Sequence, residues 1–221
     1  MRLRALLPFA ALLGATLWCV LLLGLRRSEY GPSGLGFLVW NLTLAWIPLA
    51  LAVLLLVAYR RQHPRLELVA LGAAWFVFLP NAPYMLTDLI HLGDQHRLFD
   101  ALILGSFAIT ALALGFASLL IVQLVVTRAA GAALGWLVAI GSLCAASVGI
   151  YLGRVQRLNS WDVIHRPGYI VDLARMRFDD PFGNRQLIGY VVALSVFLTL
   201  AYAALYGFAA LMGTARPEPQ R

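Results

Sequence analysis

The sequence predicts an all-α, polytopic membrane protein with about six transmembrane helices, the third of which is broken. The chain is 62% hydrophobic and 12% charged over its 221 residues, and its mean hydropathy is +0.82. A soluble domain carries about 25% charged residues, so this chain has too few polar side chains to cover a surface in water. Long apolar runs alternate with short arginine-bearing segments, and two prolines, Pro80 and Pro83, interrupt the third run.

The first apolar run, residues 5–25, is long enough to cross a hydrocarbon core of ~30 Å. Arginines precede the run, as basic residues precede the hydrophobic core of a signal peptide. However, the run is longer than such a core and lacks a small-residue cleavage site. We therefore interpret it as a retained first span. The other predicted spans cover about residues 36–59, 101–126, 132–152 and 187–212.

The third apolar run is too short to cross the membrane as one regular helix. Only twelve uninterrupted apolar residues, 68–79, precede the prolines, and they would cover roughly 18 Å of helix. Helical backbone angles are disfavoured for a residue that precedes proline, as Leu79 and Ala82 do. The helix therefore either ends at Leu79, or breaks and resumes as a short piece over residues 84–92. Broken helices at this depth form binding sites in some transporters.

The span count predicts the overall topology. We expect one compact six-span domain over residues 1–213, followed by a short disordered tail over residues 214–221. Six spans place both termini on one side of the membrane. Two polar stretches, residues 79–92 and 154–165, follow the third and fifth spans and therefore emerge together on the opposite side.

The arginines bear on orientation and on partners. If the termini are cytoplasmic, the arginines near the termini and in the loops on the same side as the termini face the cytoplasm, as the positive-inside rule requires. Arginines of the second polar stretch count against this orientation, although nearby aspartates could pair with them. We predict cytoplasmic termini. Since the arginines are scattered among loops, the net charge of +7 does not indicate nucleic acid as a partner.

The two polar stretches supply a candidate polar pocket on one membrane face. An ionisable group close to or inside the hydrocarbon is costly, so it is a functional candidate by default. The candidate binding residues are Asn81, Tyr84, Thr87, Asp88, His91, Arg154, Arg157, Asn159, Ser160, Trp161 and Asp162.

Two Asp-x-x-His pairs within these stretches leave two interpretations open. On a helix, residues three apart share a face, and two such pairs could hold a divalent metal through mixed oxygen and nitrogen ligands. We favour the alternative, in which the two aspartates form ion pairs with Arg154 and Arg157, because a buried carboxylate needs a partner. The weak candidate metal ligands are Asp88, His91, Asp162 and His165.

Arg154 and Arg157 share one face at the carboxyl end of the fifth span. The helix dipole favours cations there, and topology alone also explains them. Alternatively, the pair clamps a phosphate or carboxylate, whose geometry the guanidinium fork matches. Asn81 either satisfies backbone groups at the broken helix or contacts a ligand. Tyr84 and Trp161 are also typical of interfacial anchors.

The residues of these two stretches also resemble the signature blocks of a known family. The first resemblance covers residues 78–84 and 87–92; the second covers residues 151–154, Arg157 and residues 159–162. They are similar to blocks of the DUF1361 family, small uncharacterised multi-pass membrane proteins of bacteria and archaea. The resemblance implies the multi-pass architecture already predicted from hydropathy and supplies no activity, substrate or catalytic residue, and the second block ends before His165. We expect the protein in a cell membrane, the bacterial inner membrane.

Three classes of function fit these observations. The first is binding or transport of a small anionic or lipid-linked solute, and the second is a membrane-embedded enzyme acting on lipid headgroups. The third is a non-catalytic membrane assembly partner, in which the polar stretches are structural. The chain has no internal repeat that would mark a complete transporter, so transport would require a homo-oligomer. No cofactor is indicated, and the bilayer itself is the expected partner.

Overall fold

The computed structural model describes residues 2–32, 34–93, 96–155, 165, 168, 172 and 185–214, which are helical apart from short connections. Six of the described segments are long and apolar enough to cross a membrane, as predicted. The third such segment, Arg65–His91, joins three consecutive helices. The helices are α1 Arg2–Tyr30, α2 Phe37–Arg60, α3 Arg65–Phe78, α4 Asn81–Tyr84, the 3₁₀ helix Met85–His91, α5 Arg97–Ala130, α6 Ala132–Val155 and α7 Arg185–Thr214.

The helices extend beyond the apolar runs that predicted them. Helix α1 continues past Arg26, the predicted end of the first span, and ends at Tyr30. Gly31 follows with a φ of 79°, and its N–H donates to the carbonyl oxygen of Arg27 at 3.1 Å. Glycine stops the helix because it adopts this left-handed conformation without strain. Hydrophobicity therefore marks where the hydrocarbon ends, whereas the glycine marks where the helix ends.

The described residues fall into two compact units, residues 1–135 and 136–221. In the first unit, α2 packs against α5 and α3, and α1 packs against α5. The expected single domain over residues 1–213 stays a prediction, as does the disordered tail, most of which lies outside the described residues. The core of the first unit includes Leu38, Leu42, Ala45, Met85, Ile103, Phe107 and Leu114.

Polar side chains inside the first unit bond to one another across helices. Each pair satisfies a donor that would otherwise be buried in an apolar bundle. Trp75 Nε1 on α3 donates to Ser118 Oγ on α5 at 3.1 Å, and Ser118 Oγ donates in turn to the Gly115 carbonyl oxygen at 2.7 Å. Two further pairs are Trp46 with Thr16 and Cys19 with Thr110.

Gly115 allows α4 to lie close to α5. A Cβ atom placed on Gly115 would lie 2.8 Å from Ala82 Cβ and 3.8 Å from Pro83 Cδ. Carbon atoms in contact are normally about 3.5–4.0 Å apart. Only glycine therefore fits at this position without a shift of the second half of the third span.

The second unit holds α6 and α7 as an antiparallel pair. Near the start of α6, the Trp136 ring lies 4.9 Å from the Tyr206 ring, between centroids, towards the end of α7. Near the other end of α6, the Tyr151 ring lies 6.1 Å from the Tyr190 ring, near the start of α7. Aromatic contacts at both ends fix how the two helices align.

Candidate functional site

The third span bends at its prolines but stays joined. Leu79 keeps helical angles, with φ −52° and ψ −41°, although the residue before a proline is disfavoured there. Pro80 is also helical, and α4 resumes at Asn81 rather than at residue 84. Leu79 and Ala82 are 2% and 0% exposed, so tertiary packing outweighs the local preference. Of the two expected outcomes, the structure therefore shows the broken and resumed helix.

Asn81 supplies a hydrogen bond at the bend. Its Nδ2 donates to the Phe78 carbonyl oxygen at 2.9 Å, the group that the Ala82 N–H would bond in a regular α-helix. The Ala82 N–H instead donates to Leu79 O at 3.2 Å. This contact fits the first interpretation of Asn81, as a residue that satisfies backbone groups where proline removes a donor.

Asp88 is a carboxylate buried inside a membrane-crossing segment. It is 1% exposed, and its Oδ2 accepts a hydrogen bond from Asn41 Nδ2 on α2 at 3.1 Å. A buried carboxylate is tolerated only when it is hydrogen-bonded or paired. Nearby, Thr87 Oγ1 donates to the Tyr84 carbonyl oxygen at 2.7 Å, a bond within the span. Asp88 is therefore held by a contact with another helix, α2.

His91 also contacts α2, through an aromatic ring. It is exposed, and its imidazole lies 5.1 Å from the Phe37 ring, between centroids, in an edge-on arrangement at 66°. Residues three apart are eclipsed on a 3₁₀ helix, and residues four apart share a face of an α-helix. Asn41 and Phe37 are four apart and contact Asp88 and His91 respectively. The first turns of α2 therefore run along the 3₁₀ helix.

A buried ion pair lies at the same end of the first unit, and the sequence analysis missed it. Arg26 Nε and Nη2 donate to Asp100 Oδ1 and Oδ2 at 2.9 and 3.4 Å, and both residues are 7% exposed. Arg26 Nη1 also donates to the Gly31 carbonyl oxygen at 3.1 Å. Asp100 precedes the predicted start of the fourth span at residue 101 but lies in the first turn of α5, where the helix dipole favours an acid.

Aromatic rings from the end of α1 and the start of α5 also contact one another. The Tyr30 ring lies 4.1 Å from the His96 imidazole and 6.0 Å from the Phe99 ring, between centroids. The end of α1, the start of α2, the 3₁₀ helix and the start of α5 thus meet at one end of the first unit. We call this region the polar end and define it by Arg26, Asn41, Asp88, His91 and Asp100.

The second polar stretch belongs to the second unit. Arg154 lies in the last turn of α6, as expected, and is half-buried. Its predicted pairing with Asp88 stays a prediction, as does the metal site. Among the described residues, no group of three or more His, Cys, Asp and Glu side chains could hold a metal. The remaining candidates, Arg157, Asn159, Ser160, Trp161 and Asp162, lie outside the described residues, whereas His165 is described and exposed.

A family model described as "Protein of unknown function (DUF1361)" matches residues 40–202. The match begins just before Asn41 and contains the whole third span, so it confirms the resemblance inferred from the two polar stretches. No curated protein and no solved structure matches the chain.

Proposed function

The chain belongs to the DUF1361 family of proteins of unknown function, and we propose that it binds a small anionic or lipid-linked solute on the membrane face that carries the polar end. Asp88 is the observation that carries this proposal. It is a carboxylate that is 1% exposed within the third membrane-crossing segment. A carboxylate is rarely placed there without a functional reason, because removing it from water is costly. Its role in the proposed site is to accept hydroxyl or amide donors and to orient the ligand.

The surroundings of Asp88 support a ligand that is partly embedded in lipid. Its neighbours Leu89 and Ile90 are 44% and 69% exposed. The 3₁₀ helix therefore buries its carboxylate while presenting apolar side chains outward. A lipid-linked solute has matching chemistry, since its acyl or prenyl chain lies in the hydrocarbon and its polar group lies at the interface.

Arg154 supports an anionic group in that ligand. By span counting from the sequence, we expect the carboxyl ends of the third and fifth spans on one membrane face. Arg154 is the basic residue in the last turn of α6, where the helix dipole favours a cation. Its guanidinium can bind a phosphate or carboxylate through two parallel hydrogen bonds. In this proposal Arg157 binds the same group, and Asn159, Ser160, Trp161 and Asp162 line the site.

The Arg26–Asp100 pair favours a second candidate function, that of a non-catalytic membrane assembly partner. Both side chains satisfy each other within the first unit, which is what purely structural polar groups would do. Under this alternative, Asp88 and Asn41 would likewise only hold helices together. An enzyme acting on lipid headgroups is the third outcome that the experiment below separates.

We also propose that the protein lies in a bacterial inner membrane with cytoplasmic termini. Arg26 is neutralised by Asp100 in a buried pair, so it does not act as a free positive charge on the opposite face. Arg60, Arg61 and Arg65, at the connection between α2 and α3, are exposed. Span counting assigns this connection to the side of the termini, and exposed arginines there suit a cytoplasmic location. A cysteine introduced at Gln62 should react with a membrane-impermeant maleimide only after the cells are opened, and reaction in intact cells contradicts this orientation.

Native mass spectrometry in nanodiscs containing phosphatidylglycerol tests the binding proposal. Asp88→Asn removes the charge but keeps an oxygen that can accept the Asn41 hydrogen bond. Glu67→Gln is the matched control, because Glu67 begins the same span and its side chain is 48% exposed in a surface pair with His63. We expect wild type and Glu67→Gln to retain a defined bound species, and Asp88→Asn and Arg154→Gln to lose it about tenfold while staying folded.

The mass of the retained species identifies its class, because a lipid, a free anion and a metal differ in mass. A changed lipid mass that appears on incubation, and is lost in Asp88→Asn, would indicate an enzyme instead. Folded wild-type protein that retains no species would contradict the binding proposal and favour an assembly partner.

A further inference from the structure

We infer that Asn41 is a positioning residue: together with Phe37 it holds the third span in its 3₁₀ form, so that Asp88 and His91 point in a common direction. That Asp88, once positioned, binds a ligand rests on the proposed function. That Asn41 and Phe37 position it rests on the geometry of two contacts. Asn41 Nδ2 lies 3.1 Å from Asp88 Oδ2, and the Phe37 and His91 ring centroids are 5.1 Å apart.

The 3₁₀ helix is the element that needs such support. It runs over seven residues, Met85–His91, whereas runs longer than 3–4 residues are uncommon because their hydrogen bonds have poorer geometry. Short 3₁₀ turns are frequent at the ends of α-helices, but this one is longer than such a turn. Contacts outside the backbone must therefore favour this form over the α-helix.

The form of the helix decides where the two side chains point. With 3.0 residues per turn, Asp88 and His91 project in the same direction; with 3.6 residues per turn, they would diverge by about 60°. Asn41 and Phe37 lie four apart on α2, on one face. Their side chains contact the two eclipsed positions, Asp88 and His91, so the two contacts together favour the 3₁₀ form.

The Asn41–Asp88 contact suits a binding site better than the Arg26–Asp100 contact does. Arg26 neutralises Asp100 through two parallel hydrogen bonds. Asn41 is a neutral amide, so its bond fixes one carboxylate oxygen of Asp88 without supplying an opposite charge. This contact therefore orients the carboxylate through a neutral donor.

The test uses a reciprocal exchange of the two residues. A fluorinated label at position 90, introduced as Ile90→Cys with Cys144→Ser, reports the form of the 3₁₀ helix by ¹⁹F NMR; Ile90 is 69% exposed, and the remaining Cys19 is 0% exposed. The compared variants are Asn41→Leu, the exchange Asn41→Asp with Asp88→Asn, and Thr43→Val. Thr43 is the control, since its Oγ1 donates only within α2, to the Val39 carbonyl oxygen at 2.8 Å.

We expect Asn41→Leu to shift or split the ¹⁹F signal and to lower phosphatidylglycerol retention about tenfold, the size of one hydrogen bond to a charged group. Phe37→Leu should shift the signal as well. The exchange restores a bond between positions 41 and 88, so its ¹⁹F signal should return to that of wild type. Its lipid retention should stay low, because the charge has moved to α2.

The outcomes separate the two ideas. A restored ¹⁹F signal in the exchange, with no lipid retained even by wild type, supports positioning by Asn41 and refutes the proposed function. An Asn41→Leu protein that matches Thr43→Val in both its ¹⁹F signal and its lipid retention overturns the inference. An Asn41→Leu protein that binds lipid like wild type despite an altered ¹⁹F signal also overturns it, because the direction of Asp88 would then not matter.

Discussion

Replacing Gly115 by alanine should displace the second half of the third span. The added Cβ would lie 2.8 Å from Ala82 Cβ, about 1 Å closer than a normal contact. Ala82 is 0% exposed, and Pro83, also buried, stiffens the backbone beside it. Overpacking of this kind costs about 1–3 kcal/mol. The gain in helix propensity from glycine to alanine, about 1 kcal/mol, offsets only part of that cost.

Gly105 on the same helix is the matched control. Nothing lies within 4 Å of a Cβ placed there, so Gly105→Ala should keep the propensity gain without the clash. We expect Gly105→Ala to be neutral or up to about 1 kcal/mol more stable than wild type, and Gly115→Ala to be up to about 2 kcal/mol less stable.

The assay is unfolding of both variants in the same micelles, followed by circular dichroism. A second readout is the ¹⁹F label at position 90, because α4 leads directly into the 3₁₀ helix. Gly115→Ala should change that signal and Gly105→Ala should not. If Gly115→Ala is as stable as Gly105→Ala, the close approach of α4 to α5 does not exist as described.

Two further predictions concern buried polar contacts of the first unit. Arg26→Ala leaves Asp100 as an unpaired buried carboxylate and should lower the free energy of unfolding by about 3–5 kcal/mol. The double variant Arg26→Met with Asp100→Leu should recover most of this loss. If denaturant unfolding shows equal losses for the single and the double variant, the pairing is contradicted. Trp75→Phe removes the hydrogen bond to Ser118 and should cost about 0.5–1.5 kcal/mol. A double-mutant cycle with Ser118→Ala measures this term, and a coupling of zero would count against the bond.

The sequence by itself determined the six spans and identified the third as irregular. Whether a run of residues crosses the membrane depends on its own length and apolarity, which are local properties. The short run before Pro80 and the polar residues after it likewise showed that the third span differs from the others. The first family block lay in this stretch and the second in the other polar stretch, because the polar residues that interrupt hydrophobic runs are also the most distinctive residues of such a sequence.

Tertiary structure decided what happens at the prolines and which polar groups pair. Leu79 stays helical before Pro80 because it is 2% exposed, and packing outweighs a local steric preference. The Arg26–Asp100 contact joins residues 74 apart in sequence, and the Asn41–Asp88 contact joins residues 47 apart. A helix in lipid is apolar on most sides, so its pattern does not show which face meets another helix. Those pairings exist only once the helices have packed.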